Sequence, residues 1–107
     1  DVGRSVLKER RNLSEHGLVV VAMALDEDTG TVVHGPEIFS RGFVFELETG
    51  HLLDDAVCVV LEVVEEIGPE TRNRSARIRS RLQTVLKQYF FFTIARRPVI
   101  VPIIIEI

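Results

Sequence analysis

Residues 52–67, with the sequence LLDDAVCVVLEVVEEI, form the densest apolar run at helical spacing in this chain. At 100° per residue, five acidic side chains collect on one side of the helix and apolar side chains cover the remainder. The acidic residues are Asp54, Asp55, Glu62, Glu65 and Glu66. A helix that lies on one sheet needs an apolar stripe of roughly 100°. This arc is wider, so we expect the helix to contact a sheet and either a second helix or another chain.

Three β-rich runs precede this helix. Residues 18–25 are apolar at odd and even positions alike, which predicts a strand covered on both faces. Residues 31–39 predict a second strand, which should bend or lie at an edge because Gly35-Pro36 interrupts it and proline cannot donate to a sheet. Residues 43–47 alternate with period two, which predicts a third strand whose phenylalanines face inward.

Turn residues separate these elements. The segment DEDTG at 26–30 predicts a hairpin loop in which Gly30 has a positive φ. Its carboxylates do not match the twelve-residue calcium loop, so we expect no metal there. Gly68-Pro69 ends the first helix and a second helix begins near Thr71, which predicts an antiparallel helical hairpin.

The second helix has a narrower apolar stripe, which consists of Ile78, Leu82, Val85, Leu86 and Tyr89. Phe90, Phe91 and Phe92 then point in three directions. At least one of them must leave the stripe, so either the helix ends there or the aromatics make a second contact. A dimer could form through these rings or through the wide arc of residues 52–67, and we expect self-association on that ground.

The closing run VIVPIIIEI, residues 99–107, predicts a strand that is central and buried on both faces, although Pro102 indicates that part of it is unpaired or at an edge. These elements together predict an α+β, two-layer fold. It should contain a small mixed β-sheet of three to four strands, covered on one face by an antiparallel pair of helices, in the order β-β-β-α-α-β.

The residues themselves show no catalytic, cofactor or metal site. His16, His34 and His51 stand apart, without the spacing of a zinc site, and no glycine-rich phosphate loop is present. The single cysteine, Cys58, falls amid the acidic face of its helix, which disfavours a thiolate and indicates a structural role. At 107 residues the chain fits one domain, and no window is long and apolar enough for a membrane span.

Charge is separated along the chain. Residues 42–70 contain eight acidic side chains and no Lys or Arg, whereas residues 71–97 contain eight Lys or Arg and no Asp or Glu. Two interpretations stay open: neighbouring helices with complementary solvated faces, or a basic segment that meets an anionic partner. The candidate RNA contacts in the basic segment are Arg74, Arg77 and Arg81, which share one flank of the second helix.

Two segments carry a family resemblance. Residues 35–44, GPEIFSRGFV, resemble the GPxIxSRGFV signature in the carboxy-terminal domain of ribonuclease J, and residues 96–102 resemble the RRPxIxPxxxEV ending of that family. Residues 1–10 are similar to the DVGxxVLRDR linker of the family, so we expect residues 1–16 to be a linker arm from a catalytic portion and residues 17–107 to be a single terminal domain. The signature residues, expected to be structural, are Gly35, Pro36, Ser40, Arg41, Gly42, Phe43, Arg96, Arg97, Pro98 and Pro102.

The resemblance implies a bacterial, cytoplasmic ribonuclease with a metallo-β-lactamase domain and an inserted β-CASP domain. Such enzymes hydrolyse RNA from the 5′ end and internally with two divalent metal ions, zinc or manganese. None of the family's metal-ligand motifs lies in this chain, so the metal ions and catalytic residues are expected in a catalytic portion outside it.

For this domain the resemblance implies a non-catalytic part in subunit assembly. Its expected partners are its own catalytic domains and further copies of the protein, with RNA as the substrate of the whole protein and no membrane. An independent module that binds single-stranded RNA is the alternative, and a self-sufficient small enzyme is a third.

Overall fold

The computed structural model describes residues 16–42 and 49–107. These residues form β1 (Leu18–Leu25), β2 (Val32–Arg41), α1 (Thr49–Glu66), α2 (Arg74–Ile94) and β3 (Val99–Glu106). The α+β class and the mixed sheet are therefore confirmed. The strand predicted at residues 43–47 lies outside the described residues, as does the predicted linker arm except for His16.

The described sheet has the strand order β2-β1-β3. The central strand β1 pairs antiparallel with β2 and parallel with β3. The edge position predicted for β2 is confirmed, and the ladder between β1 and β2 shifts register between Ala22 and Leu25. Gly35 has φ +81°, and a Cβ at this position would lie 2.8 Å from the carbonyl oxygen of Ala22. Only glycine therefore allows this close approach of the two strands.

The prediction that the closing strand is central and buried on both faces is wrong. β3 lies at the second edge of the sheet that the described residues form, in parallel register with β1 from Leu18 opposite Val99 to Leu25 opposite Glu106. Of its side chains only those of Ile100 and Pro102 are buried. The same correction applies to β1, where buried and half-buried side chains alternate along the strand. The physical reason is that both helices contact the sheet from one side.

The two helices form the predicted antiparallel hairpin. Near the end of α2, the Tyr89 hydroxyl donates a hydrogen bond of 2.7 Å to the carbonyl of Leu52 near the start of α1. At the other end, Arg74 begins α2 beside the last turn of α1. α1 contacts both β2 and α2, so its wide apolar arc meets a sheet and a second helix as predicted.

The core lies between the helices and one face of the sheet. Its buried residues are Val19, Val21, Met23, Leu25, Leu52, Ala56, Val60, Val63, Val64, Ile78, Leu82, Leu86, Phe90 and Ile100. The predicted stripe of α2 is confirmed, with Val85 and Tyr89 half-buried at its margin and with Phe90 added to it. α2 continues through the aromatic run to Ile94, where Ala95 in the left-handed region caps it.

Candidate functional site: an open sheet face and the ends of the basic helix

Arg74 joins three parts of the fold at the start of α2. Its Nε donates to the carbonyl of Ile67 at 2.8 Å, Nη1 donates to the carbonyl of Gly30 at 2.8 Å, and Nη2 donates to the carbonyl of Val64 at 3.0 Å. The carbonyls of Val64 and Ile67 lie at the C-terminal end of α1, where unpaired acceptors and the helix dipole favour a cation. Gly30 has the predicted positive φ, and a Cβ on it would lie 2.9 Å from Nη1.

The three candidate RNA contacts thus have different surroundings. Arg74 is half-buried, and three of its five N–H donors are used by backbone carbonyls. Arg77 and Arg81 are exposed, and Arg77 donates through Nε to the carbonyl of Arg72 at 3.2 Å. A surface groove of about 480 Å³ contains both of these arginines but also Glu66. Contact of these arginines with RNA stays a prediction.

The hairpin loop after β1 is organised by its first residue. Oδ1 of Asp26 accepts hydrogen bonds from the backbone N–H groups of Asp28 at 2.8 Å and Thr29 at 2.9 Å. These two bonds hold the pKa of the Asp26 carboxyl below its ordinary value, because they favour the charged form. The carboxylate therefore acts as a local turn-forming group.

The described residues do not fit a metal role. Across residues 16–42 and 49–107, no three His, Cys, Asp or Glu side chains lie close enough together to hold a metal ion. Nδ1 of His16 accepts the backbone N–H of Arg97 at 3.2 Å, while His34, His51 and Cys58 are exposed at separate places.

The two parts of the family signature lie on opposite edges of the sheet. Gly35, Pro36, Ser40 and Arg41 belong to β2, and Gly42 follows it with φ +82°. Pro98 and Pro102 are buried at and beside β3, whereas Arg96 and Arg97 are exposed. β1 separates these two edges, so the signature does not assemble one pocket, and Phe43 lies outside the described residues. The structural role of the signature residues stays a prediction.

The sheet face that points away from the helices is apolar and open. Because side chains alternate along a strand, the residues that pair with the half-buried positions of β1 share this face. Phe39 on β2 is 56% exposed, and Ile103 and Ile105 on β3 are 45% and 56% exposed. We call this surface the open sheet face, and its apolar members are Leu18, Val20, Ala22, Ala24, Phe39, Val99, Val101, Ile103 and Ile105.

A second exposed surface lies at the end of α2. The guanidinium carbon of Arg97 lies 4.5 Å from the centroid of the Phe91 ring, and Phe91 and Phe92 meet edge to face with their centroids 5.8 Å apart. These residues, with Lys87 and Gln88, line a groove of about 330 Å³ that we call the aromatic groove. Phe92 is 81% exposed, the largest value among the exposed large hydrophobic side chains of the described residues.

Sequence reasoning missed the open sheet face, whereas it had named the aromatic run at residues 90–92 as a possible second contact. The open sheet face could not be predicted because β1 and β3 are apolar at almost every position. Such a strand has the same sequence pattern whether other elements cover one of its faces or both. The signal for the aromatic groove was present, because Phe91 and Phe92 fall outside the apolar stripe of α2 while Lys87, Arg96 and Arg97 lie nearby in sequence.

Fold and surfaces define a small two-layer α+β domain that presents exposed apolar and basic patches. The family described as the ribonuclease J C-terminal domain matches residues 5–107. Over all 107 residues the chain is 34% identical to ribonuclease J2 of Bacillus subtilis, and 37% identical to ribonuclease J 2 of Staphylococcus epidermidis and of Staphylococcus aureus. The chain belongs to the family of ribonuclease J carboxy-terminal domains. It spans 19% of the length of these relatives.

In the part of the chain that the structure describes, neither helix combines the length and the apolar character needed to cross a bilayer.

Proposed function

We propose that this chain is a non-catalytic assembly domain of a ribonuclease J and that its open sheet face binds the same face of a second copy. The observation that carries the proposal is the open sheet face itself. Large exposed apolar patches on a folded domain mark interaction sites, because leaving them in water forgoes the free energy of burial.

The shape of this face suits a second sheet. Two sheets pack face to face about 10 Å apart, with the side chains of their inner faces interdigitated. The exposed residues of β3 on this face are all β-branched, and β2 contributes Glu37 and Arg41 beside Phe39. In a two-fold dimer each surface packs against its own copy. Glu37 of one copy can then pair with Arg41 of the other copy.

For the whole protein, the relatives carry the name ribonuclease J, and we infer that it hydrolyses RNA. Its two divalent metal ions, zinc or manganese, are then held by a catalytic portion outside this sequence. The catalytic domains of the same protein are the second partner we assign to this chain.

The test compares the mass of the wild-type chain with that of the variant Ile103→Glu by sedimentation at micromolar concentration. We expect the wild-type chain to sediment as a dimer of 12.1 kDa subunits and the variant as a monomer, because the new carboxylate would be buried unpaired. Ile103 is 45% exposed in the single chain, so circular dichroism should show an unchanged fold.

Leu61→Glu is the matched control, since Leu61 is 40% exposed but lies on α1. The control should remain a dimer. A wild-type chain that sediments only as a 12.1 kDa species would contradict self-association. A dimer that survives Ile103→Glu but dissociates in Leu61→Glu would place the interface on α1.

A further inference from the structure

The aromatic groove at the end of α2 combines exposed phenylalanine rings with cationic side chains, and packing of this domain requires neither. Phe92 is 81% exposed and Phe91 is 41% exposed, whereas the neighbouring Phe90 is fully buried and completes the core stripe. Cations at the C-terminal end of a helix are favourable for the helix dipole alone. The dipole does not account for two aromatic rings held in water beside those cations.

The chemistry of the groove selects an anionic ligand with flat rings. Among the described residues, its lining consists of one ammonium, one guanidinium, one amide and two phenyl rings, with no carboxylate. The guanidinium of Arg97 already lies over the Phe91 ring, which places a cation and an aromatic ring side by side in the groove. Nucleobases stack on aromatic rings and on arginine planes, and their phosphates bind Lys and Arg.

The size of the groove is consistent with a small ligand segment. Its volume of about 330 Å³ lies near the lower limit of roughly 300–1,000 Å³ that is common for small-molecule pockets. It differs from the open sheet face, which is apolar on β1 and β3 and lies on the other layer of the fold. The two surfaces therefore suit different partners.

We propose that the aromatic groove binds a short segment of single-stranded RNA, with one base stacked on Phe92 and with phosphates against Lys87 and Arg97. This site is separate from the assembly surface proposed above and from the flank of Arg77 and Arg81. It supplies one stacked base and about two phosphate contacts, so the affinity is low. The dissociation constant at about 150 mM salt is no tighter than roughly 100 μM, within the range of non-specific contacts.

The experiment is an NMR titration of the full 107-residue chain with octaadenylate, and with adenosine monophosphate and inorganic phosphate as separate probes. The amide signals of Lys87, Phe91, Phe92 and Arg97 should shift with octaadenylate. Phe92→Leu keeps an apolar side chain but removes the ring, and it should weaken binding about tenfold, while Phe92→Trp should keep it. Arg97→Gln should make the salt slope shallower by about 0.7.

The control is the double variant Arg77→Gln/Arg81→Gln, which removes two exposed charges elsewhere on α2 and should change the affinity by less than about twofold. An affinity unchanged in Phe92→Leu, or absent shifts at these amides, would overturn the proposal. Equal binding of adenosine monophosphate and octaadenylate would assign the groove to mononucleotides instead. A change in the sedimenting mass of Phe92→Leu would assign it to a protein interface.

Discussion

At the scale of single residues, Arg74 shows how one side chain fixes the relation of three elements. Its planar guanidinium carries donors in a fixed fork, and the carbonyls of Gly30, Val64 and Ile67 are placed to accept them. Two of those acceptors terminate α1, and the third belongs to the hairpin loop between β1 and β2. Loss of this fork would leave acceptors without partners in a half-buried place.

We therefore expect Arg74→Lys to lower the free energy of unfolding by about 2 kcal/mol. An ammonium group keeps the charge but cannot reach three separated carbonyls, and a hydrogen bond to a charged group contributes roughly 1.5–3 kcal/mol. Urea denaturation followed by circular dichroism measures the difference. Arg77→Lys is the control, because Arg77 is exposed and should change the value by less than about 0.5 kcal/mol. Equal effects of the two variants would contradict the role of Arg74.

Tyr89 makes stability depend on alkaline pH. Partial burial, and then the negative charge of Asp55, raise the pKa of its phenol above the ordinary value of 10.0. The folded state therefore holds the proton more tightly than the unfolded state, so this contribution is complete below about pH 10 and is lost as pH rises through the folded pKa. The deprotonated phenol could no longer donate to the carbonyl of Leu52.

The expected result is that Tyr89→Phe costs about 1 kcal/mol at neutral pH and that this difference shrinks above about pH 10. Urea denaturation of both proteins at neutral and alkaline pH gives the comparison. The chain has one tyrosine and no tryptophan, so ultraviolet absorbance titrates this phenol alone. A midpoint at or below the ordinary tyrosine value would refute the raised pKa.

Residue roles of this kind were only partly predictable. Helical periodicity placed Arg74, Arg77 and Arg81 on one flank, but it could not show that Arg74 meets a loop 44 residues away in sequence. By contrast, Gly30 was predictable, because a short polar loop between two strands requires a residue with positive φ.

At the scale of elements, the three phenylalanines of α2 differ in environment although they are adjacent in sequence. Phe90 is fully buried, Phe91 is 41% exposed and Phe92 is 81% exposed. We expect Phe90→Ala to cost about 3–5 kcal/mol of unfolding free energy, because it removes a large side chain from the core and leaves a cavity. Phe92→Ala should cost less than about 0.5 kcal/mol. Thermal or urea denaturation of both variants decides this, and similar losses would mean that Phe92 also packs inside the fold.

The spacing of apolar residues decides which elements could be predicted from the sequence. The long helices were predictable because the spacing of the apolar stripe repeats over roughly three to four turns, and their ends carry Gly68-Pro69 and the aromatic run. β2 was predictable as an edge strand from Gly35-Pro36. The single-sided burial of β1 and β3 was not predictable, because alternation disappears whenever both faces of a strand are apolar, whatever covers the second face.

At the scale of the whole molecule, we expect the 107-residue chain to leave RNA intact in the presence of manganese or zinc. Hydrolysis of a phosphodiester with metal ions requires clustered ligands, and the histidines of this chain lie on separate elements. A labelled RNA incubated with the purified chain, with gel separation of the products, provides the measurement.

The variant His34→Ala is the control for contamination. Cleavage that persists unchanged in this variant and in variants of the other two histidines would come from another nuclease. Manganese-dependent cleavage that any substitution within the chain abolishes would instead make this domain an enzyme and contradict the assembly assignment.

The parallel pairing of β1 with β3 also determines how the domain responds to mechanical force. Residue 17 lies just before the start of β1 and residue 107 just after the end of β3, so at roughly 3.3 Å per residue these two points are about 30 Å apart along the ladder. A pull through these two points loads the eight paired positions in shear, so the ladder must yield as a unit instead of unzipping pair by pair. Single-molecule stretching from these residues should therefore need more force than stretching from Leu18 and Val99, which lie at the same end of the ladder.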